Sequence, residues 1–346
     1  MKGLRYIVLI LAGMLWLGGC SREVMQHLYQ IGVIPDDYRF GDLYRLSNLP
    51  QFKEPVGRCP SPTYPDTVRS AARTDLYIIG DSFTEPERVA KADLPVSALH
   101  YFHWDRDKNR PVQLRPERRN VLVLESVERH VREHLSQPIT NIVVGTAANG
   151  TTDTEPVGPT WRQALITFIK SEGIEDRLET TLFSRDVFLW FRELKATLNL
   201  TWFNRVAPTV ALSSDRQAIF SDLDTNPKKP LNSSFVPVSD QAISAMVDSL
   251  NRTADRYRQA GFDAVLLSII PNKASILEAG QPRRDGAGSA YNHLIERLQR
   301  HPDLRVPFID TYSAYRRSHV PVYAKGDTHW NCEGRRIWLE EVRKTL

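Results

Sequence analysis

The chain has 346 residues, 41% of them apolar and 25% charged, which is room for one large domain or one domain with a sizeable insertion. That composition excludes disorder, collagen and a polytopic membrane architecture, and three cysteines exclude a disulfide scaffold. The net charge of +4 comes from 45 basic and 41 acidic residues, a balance that gives no concentrated basic face for nucleic acid.

In chain order, the first signal is an address. Lys2 and Arg5 precede the apolar run Tyr6 to Leu17. The run is too short to span about 30 Å of hydrocarbon and fits the apolar region of a secretory signal. It ends in Leu17-Gly18-Gly19-Cys20, which resembles the lipobox of bacterial lipoproteins. The resemblance implies removal of residues 1–19 and diacylation of Cys20; an ordinary signal peptide with a chance cysteine is the competing reading. The expectation is an exported protein, lipid-anchored in the cell envelope and facing the periplasm or the cell surface. Export leaves Cys59 and Cys332 in a compartment that permits disulfides. They either form one bridge, the expectation adopted here, or stay as two buried thiols.

Residues 20–70 read as a membrane-proximal approach segment, with a short helix near Val24 to Tyr29. Pro50, Pro55, Pro60, Pro62 and Pro65 then favour extended chain. Residues 71–346 read as the main domain. Leu76 to Ile79 is a short apolar run bounded by Gly80, the pattern of a buried strand. Similar runs follow at Val96–Phe102, Asn120–Leu124, Asn141–Val144, Ala264–Ile270 and Val306–Ile309. Between the later ones lie helical patterns. Ile243, Met246, Val247, Leu250, Ala254 and Tyr257 recur at helical spacing, with Ser239 as N-cap and Gly261 as stop. Further helices are expected over Ser289–Arg300 and Glu333–Lys344. Strands alternating with helices predict an α/β sandwich with a mainly parallel sheet. Residues 150–235 break the rhythm: a loop at Thr151–Pro159, an aromatic helix around Phe183–Phe203 and a hairpin near Val210–Asp224. They read as an insertion over the active-site face.

Two motifs carry chemistry. Gly80-Asp81-Ser82-Phe83 follows the first strand directly. A serine there can sit on a sharp strand-to-helix turn with its hydroxyl exposed and a backbone N–H nearby; a plain turn with Ser82 as N-cap is the alternative. Asp327-Thr328-His329-Trp330-Asn331 stands near the C-terminus. On an extended segment Asp327 and His329 point to the same side, so the carboxylate can orient the imidazole; a capped terminal helix with an incidental histidine is the alternative. Asn331 can cap the final helix.

Together these motifs resemble the SGNH (GDSL-type) hydrolase superfamily. The wording Asp327-Thr328-His329-Trp330, followed by Gly334, resembles its polysaccharide O-acetyltransferase branch, which includes the alginate acetylation proteins. Val121 to Arg129 resembles that branch's third strand and following helix, and Ile269-Ile270-Pro271-Asn272-Lys273 a Pro-x-Lys turn. The likeness covers about residues 75–160 and 239–346. It implies a flavodoxin-like three-layer α/β/α sandwich and a catalytic triad of Ser82, His329 and Asp327 transferring an acetyl group through an acyl-enzyme. Two departures stand out. The Asp-x-His motif follows the serine motif here, whereas it precedes it in the alginate proteins. The place of the esterases' Gly-x-Asn-Asp is held by Glu125 to Arg129. Beside the Ser82 N–H, Arg129 and Asn149 are therefore the candidates for a second oxyanion donor.

The acceptor is expected to be an envelope or secreted polysaccharide, with a membrane-bound acetyl donor system as a candidate partner. The alternatives are a carbohydrate acetyl esterase with the same triad and a non-catalytic glycan-binding lipoprotein. Neither enzyme reaction calls for a metal or organic cofactor. Trp330, Trp104 and Trp161 are candidate sugar-stacking surfaces. His130 and His134 have a zinc-compatible spacing but no third ligand nearby. His100, His103 and Asp105 end the second strand and read as packing residues before cleft residues. The basic run Arg106, Lys108, Arg110, Arg115, Arg118 and Arg119 reads as a solvated loop before an anion site.

Overall fold

A computed structural model describes residues 2–20, 44–47, 49–54, 59–65, 73–145, 186–279 and 290–346. The chain divides into two compact units, one of residues 1–40 with 149–205 and one of residues 41–148 with 206–346. In the first unit the helix Lys2–Cys20 contains the apolar run Tyr6 to Leu17, and a second helix spans Asp186–Thr201 within the predicted aromatic stretch. No helix among the described residues is long and apolar enough to cross a membrane. The predicted helix at Val24–Tyr29 and loop at Thr151–Pro159 lie outside the described residues.

The second unit is built on β1 (Thr74–Gly80), β2 (Ala98–His103), β3 (Arg110–Val112), β4 (Arg119–Val127), β5 (Ile142–Val144), β6 (Val210–Leu212), β7 (Ile219–Ser221), β8 (Ala264–Ile270) and β9 (Phe308–Ile309). Five of these form a parallel sheet in the order β2-β1-β4-β8-β9. Counted in chain order the sheet reads 2-1-3-4-5, the flavodoxin-like order, whose ligand site lies beyond the carboxyl ends of its first and third strands. Here those are β1 and β4, and Ser82 stands two residues past β1.

The strands are apolar on both faces because each face has its own core. Tyr77, Ile79, Leu122, Leu124, Val265 and Leu267 pack with Val247, Leu250 and Ala254 of the helix Asp240–Gln259 and with Leu298 of the helix Leu294–Gln299. Their chain neighbours Leu76, Ile78, Val121, Val123 and Leu266 pack with Tyr315 of the helix Thr311–Arg317 and with Trp338 and Val342 of the helix Cys332–Arg343. The alternation is the strand period of two. The result is helix layers on both sides of the sheet, the α/β/α sandwich expected.

Local signals act as read at several ends. The Ser239 side chain accepts from the Ala242 N–H, and Gly261, at φ +111°, follows the end of that helix. Asn331 Oδ1 accepts from the N–H groups of Glu333 and Gly334, capping the last helix. The hairpin is β6 against antiparallel β7. Two expectations are corrected. Asn141–Val144 does not join the central sheet; its strand β5 pairs in parallel with β3, which apolar runs do not reveal because Arg110-Pro111-Val112 carries only one aliphatic residue. The helix predicted over Ser289–Arg300 starts only at Leu294, since His293 is left-handed at φ +54° and Asn292 Oδ1 takes the Leu294 N–H at 3.0 Å.

Candidate active site

The turn after β1 is shaped from beneath. A Cβ on Gly80 would overlap Thr84 Oγ1 and come within 2.8 Å of Glu125 Oε2, so only glycine fits. Asp81 then ties the turn to two places. Its Oδ1 accepts from the Phe83 N–H at 3.0 Å, and its Oδ2 accepts from the Val127 N–H at 2.6 Å at the end of β4. Glu125, fully buried under the turn, accepts from the Asp81 N–H at 3.0 Å and from the Thr84 hydroxyl at 2.8 Å. Burial, and next the nearby charge of Asp81, push the Glu125 carboxyl well above the usual range. The Tyr101 hydroxyl donates to the carbonyls of Gly80 and Asp81 at 3.1 and 2.9 Å. The hydroxyl of Ser82 is left half-buried at the mouth of this turn.

The opposing loop brings an imidazole. His329 Nε2 lies 2.9 Å from Ser82 Oγ, across 247 residues of chain. His329 Nδ1 lies 2.7 Å from Asp327 Oδ1, which also accepts the His329 backbone N–H at 2.8 Å. Burial raises the Asp327 carboxyl, but the hydrogen bonds and charge of His329, with Arg88, outweigh it and hold the group well below its ordinary range. An ionised Asp327 keeps the proton on Nδ1 and leaves Nε2 to accept from Ser82. The imidazole packs on the Phe83 ring with centroids 4.7 Å apart.

Lys273 holds this loop. Its ammonium, 2% exposed, donates to the carbonyls of Ala324 at 2.6 Å, Lys325 at 2.7 Å and Asp327 at 3.3 Å. Three donors meet three carbonyls on the segment that carries Asp327 and His329. On the far side of His329, a Cβ on Gly334 would overlap the Val322 carbonyl and press Trp330. The Tyr315 hydroxyl donates to the Gly334 carbonyl at 2.9 Å. Cys332, three residues past His329, is disulfide-bonded to Cys59. Beside it Arg335 pairs with buried Asp93 and donates to the carbonyls of Arg88 at 2.7 Å and Pro60 at 3.2 Å. Residues 59–65 thereby lie along the start of the last helix. The Lys325 N–H donates to Glu54 at 2.9 Å, so part of the predicted approach segment also meets the site loop.

The Arg129 guanidinium pairs with buried Asp224 at 3.2 Å, and its backbone N–H donates to Asn272. Asn149 and Trp161 lie outside the described residues. Trp330 is 5% exposed and packs edge-on against Phe83, and Trp104 is buried and stacks on His134. Neither presents a free ring face, so both are core residues rather than sugar platforms. His134 bonds Ser126 at 2.8 Å; burial, and next the charges of His130, Lys108 and His103, lower its pKa to about 3. Among the described residues there is no cluster of three or more metal-ligating side chains. His100 stacks on Tyr77, and the His103 ring caps the turn at Asp105 and Arg106. In the basic run, Arg115 forms two 2.6 Å bonds with Asp75, and Arg118 donates to Ser97. Glu125 and Lys273 were not singled out as site residues from sequence. The signal for Lys273 was present, as a lysine directly after the Pro271 turn; Glu125 sits inside an apolar run with nothing to mark its partners.

Residues 231–346 match the family described as the SGNH hydrolase-like domain of the acetyltransferase AlgX. The likeness to the SGNH O-acetyltransferase branch therefore holds over β8, β9, Lys273 and the whole Asp327–His329 loop. Comparisons with curated proteins and with solved structures find no match.

Proposed function

We propose that this protein is a serine acyl-transfer enzyme that moves an acetyl group onto an envelope or secreted polysaccharide. The observation that carries the reading is the chain of contacts from Ser82 Oγ to His329 Nε2 at 2.9 Å and from His329 Nδ1 to Asp327 at 2.7 Å. His329 takes the Ser82 proton as Oγ attacks the donor ester carbonyl. Asp327 orients the imidazole and stabilises its cation. The Ser82 backbone N–H, which has no hydrogen-bond partner among the described residues, supplies one oxyanion donor. His329 then returns the proton to the leaving alcohol, and a sugar hydroxyl resolves the acetyl-enzyme. The match of residues 231–346 to an acetyltransferase domain supports sugar over water as acceptor. Leu17-Gly18-Gly19-Cys20 supports export and acylation at Cys20, and the Cys59–Cys332 bridge fits an oxidising compartment. A membrane-bound donor system would supply the acetyl group.

Replacing Ser82 by alanine tests this. Polysaccharide acetylation in the cell and cleavage of a chromogenic acetyl ester by purified protein should both fall by about 10⁴-fold or to background. Unchanged rates would remove Ser82 from the chemistry. With an oligosaccharide acceptor, mass spectrometry should find acetylated sugar; free acetate alone would make the protein an esterase.

A further inference from the structure

The helix Asp186–Thr201 carries an apolar stripe that faces outward. Trp190, Leu194, Leu198 and Trp202 recur every four residues and so share one side. Trp190 is 57% exposed, Leu194 40% and Trp202 77%, with Phe191 and Phe203 similarly open beside them. Leu200, two residues from Leu198 and so on the opposite side, is buried. The helix thus already has an inward face, and the stripe is a second one. The Trp190 and Phe191 rings meet edge to face at 4.8 Å. Cations stand at its margins: Lys195 is exposed, and the Arg205 guanidinium lies 5.9 Å from the centre of the Phe203 ring. Clustered rings of this size on a surface mark an interaction site.

We propose that this stripe rests on the membrane to which the chain is anchored, with the helix lying flat at the boundary of headgroups and acyl chains. The occupant follows from the chemistry. Tryptophan is favoured where one side of a ring is apolar and the other wet, and arginine and lysine suit the headgroup level. At 16 residues the helix is about 24 Å long, which suits lying in the interface and not crossing it. The same compact unit also holds residues 1–40, including Cys20. The proposal rests on the acyl-anchor part of the proposed function: the anchor sets a high local concentration, and the stripe adds a second contact that fixes orientation.

The test uses the full chain in vesicles of phosphatidylethanolamine and phosphatidylglycerol, with and without bromine on the acyl chains. The wild type is compared with a Trp190→Ser, Trp202→Ser protein, both beginning at acylated Cys20, so that Trp104, Trp161, Trp330 and Trp338 are common to the two. The emission lost by substitution should be blue-shifted and quenched by bromolipid, so that fractional quenching falls by about twofold. Emission typical of water-exposed tryptophan, with no fall in quenching, overturns the proposal. Blue-shifted emission that bromolipid does not quench also overturns it, because protein then covers the stripe. A Leu194→Trp protein guards against a folding defect: the added ring should contribute bromolipid-quenched emission, and unquenched added emission counts against the proposal. Ester cleavage and mass spectrometry of Cys20 are read separately, so failure of the chemistry or of the anchor is distinguishable from failure of the stripe.

Discussion

Lys273 brings a positive charge into a place with almost no water, and three carbonyls of one loop receive its protons. Removing the ammonium leaves those carbonyls without that partner and frees the segment on which Asp327 and His329 stand. Lys273→Met should therefore lower kcat by about 10²-fold, as a shift of the base by an ångström does. KM for a small acetyl ester should stay near its wild-type value, since Lys273 itself meets backbone carbonyls and not substrate. An equal rise in KM would show that the lysine acts on binding instead. Glu128 gives a second residue-scale expectation. Burial pushes its carboxyl up to about 7 against hydrogen bonds from Ser275, the Asn272 N–H and Ser234. A raised folded pKa means stability is full below the unfolded value of about 4.3 and is lost as pH rises through about 7. Glu128→Gln should flatten the fall in urea midpoint between those pH values, and an unchanged slope would assign it to other groups. Ser82, Asp327 and His329 were legible in the sequence because their geometry is local: a glycine before a serine after a strand, and a carboxylate two residues from a histidine. Glu125 and Lys273 act through partners 41 to 54 residues away, and a linear pattern carries no such distances.

At the scale of elements, the turn after β1 is the part whose shape is most tightly determined. Gly80 has Thr84 and Glu125 against its open side. Gly80→Ala should cost about 1–3 kcal/mol by overpacking and should also displace Ser82 from His329. Urea unfolding and ester cleavage should both decline; loss of stability with full activity would mean that the turn yields without moving the nucleophile. The middle strands β1, β4 and β8 could be read because burial on both faces makes their apolar runs continuous, as in Leu76–Ile79 and Ala264–Ile270. Of the β3–β5 ribbon only β5 could be read, within Asn141–Val144; β3 is three residues bearing arginine and proline and gives no period, so the pairing stayed hidden. The late start of the helix Leu294–Gln299 was equally hidden, since a left-handed histidine is not a signal the sequence displays.

For the molecule as a whole, the covalent link between Cys59 and Cys332 spans a sequence separation of 273. Closing so long a loop restricts the unfolded chain strongly, by up to about 5 kcal/mol in the chain-entropy account. Pairing these cysteines could be expected from the count and the compartment; the company the bridge keeps could not. It joins residues 59–65 to the first turn of the last helix, where Arg335 also pairs with Asp93 and reaches Pro60. That turn is capped by Asn331, whose chain neighbours are Trp330 and, before it, His329. The bridge thus bears on the placement of His329 as well as on global stability. A Cys59→Ser, Cys332→Ser protein should lose about 3–5 kcal/mol in urea unfolding. Its ester cleavage should fall even in urea-free buffer, where most molecules remain folded. Recovery of full activity in that buffer, with stability still reduced, would limit the bridge to the unfolded chain and leave the placement of His329 to Lys273, Asn331 and Gly334.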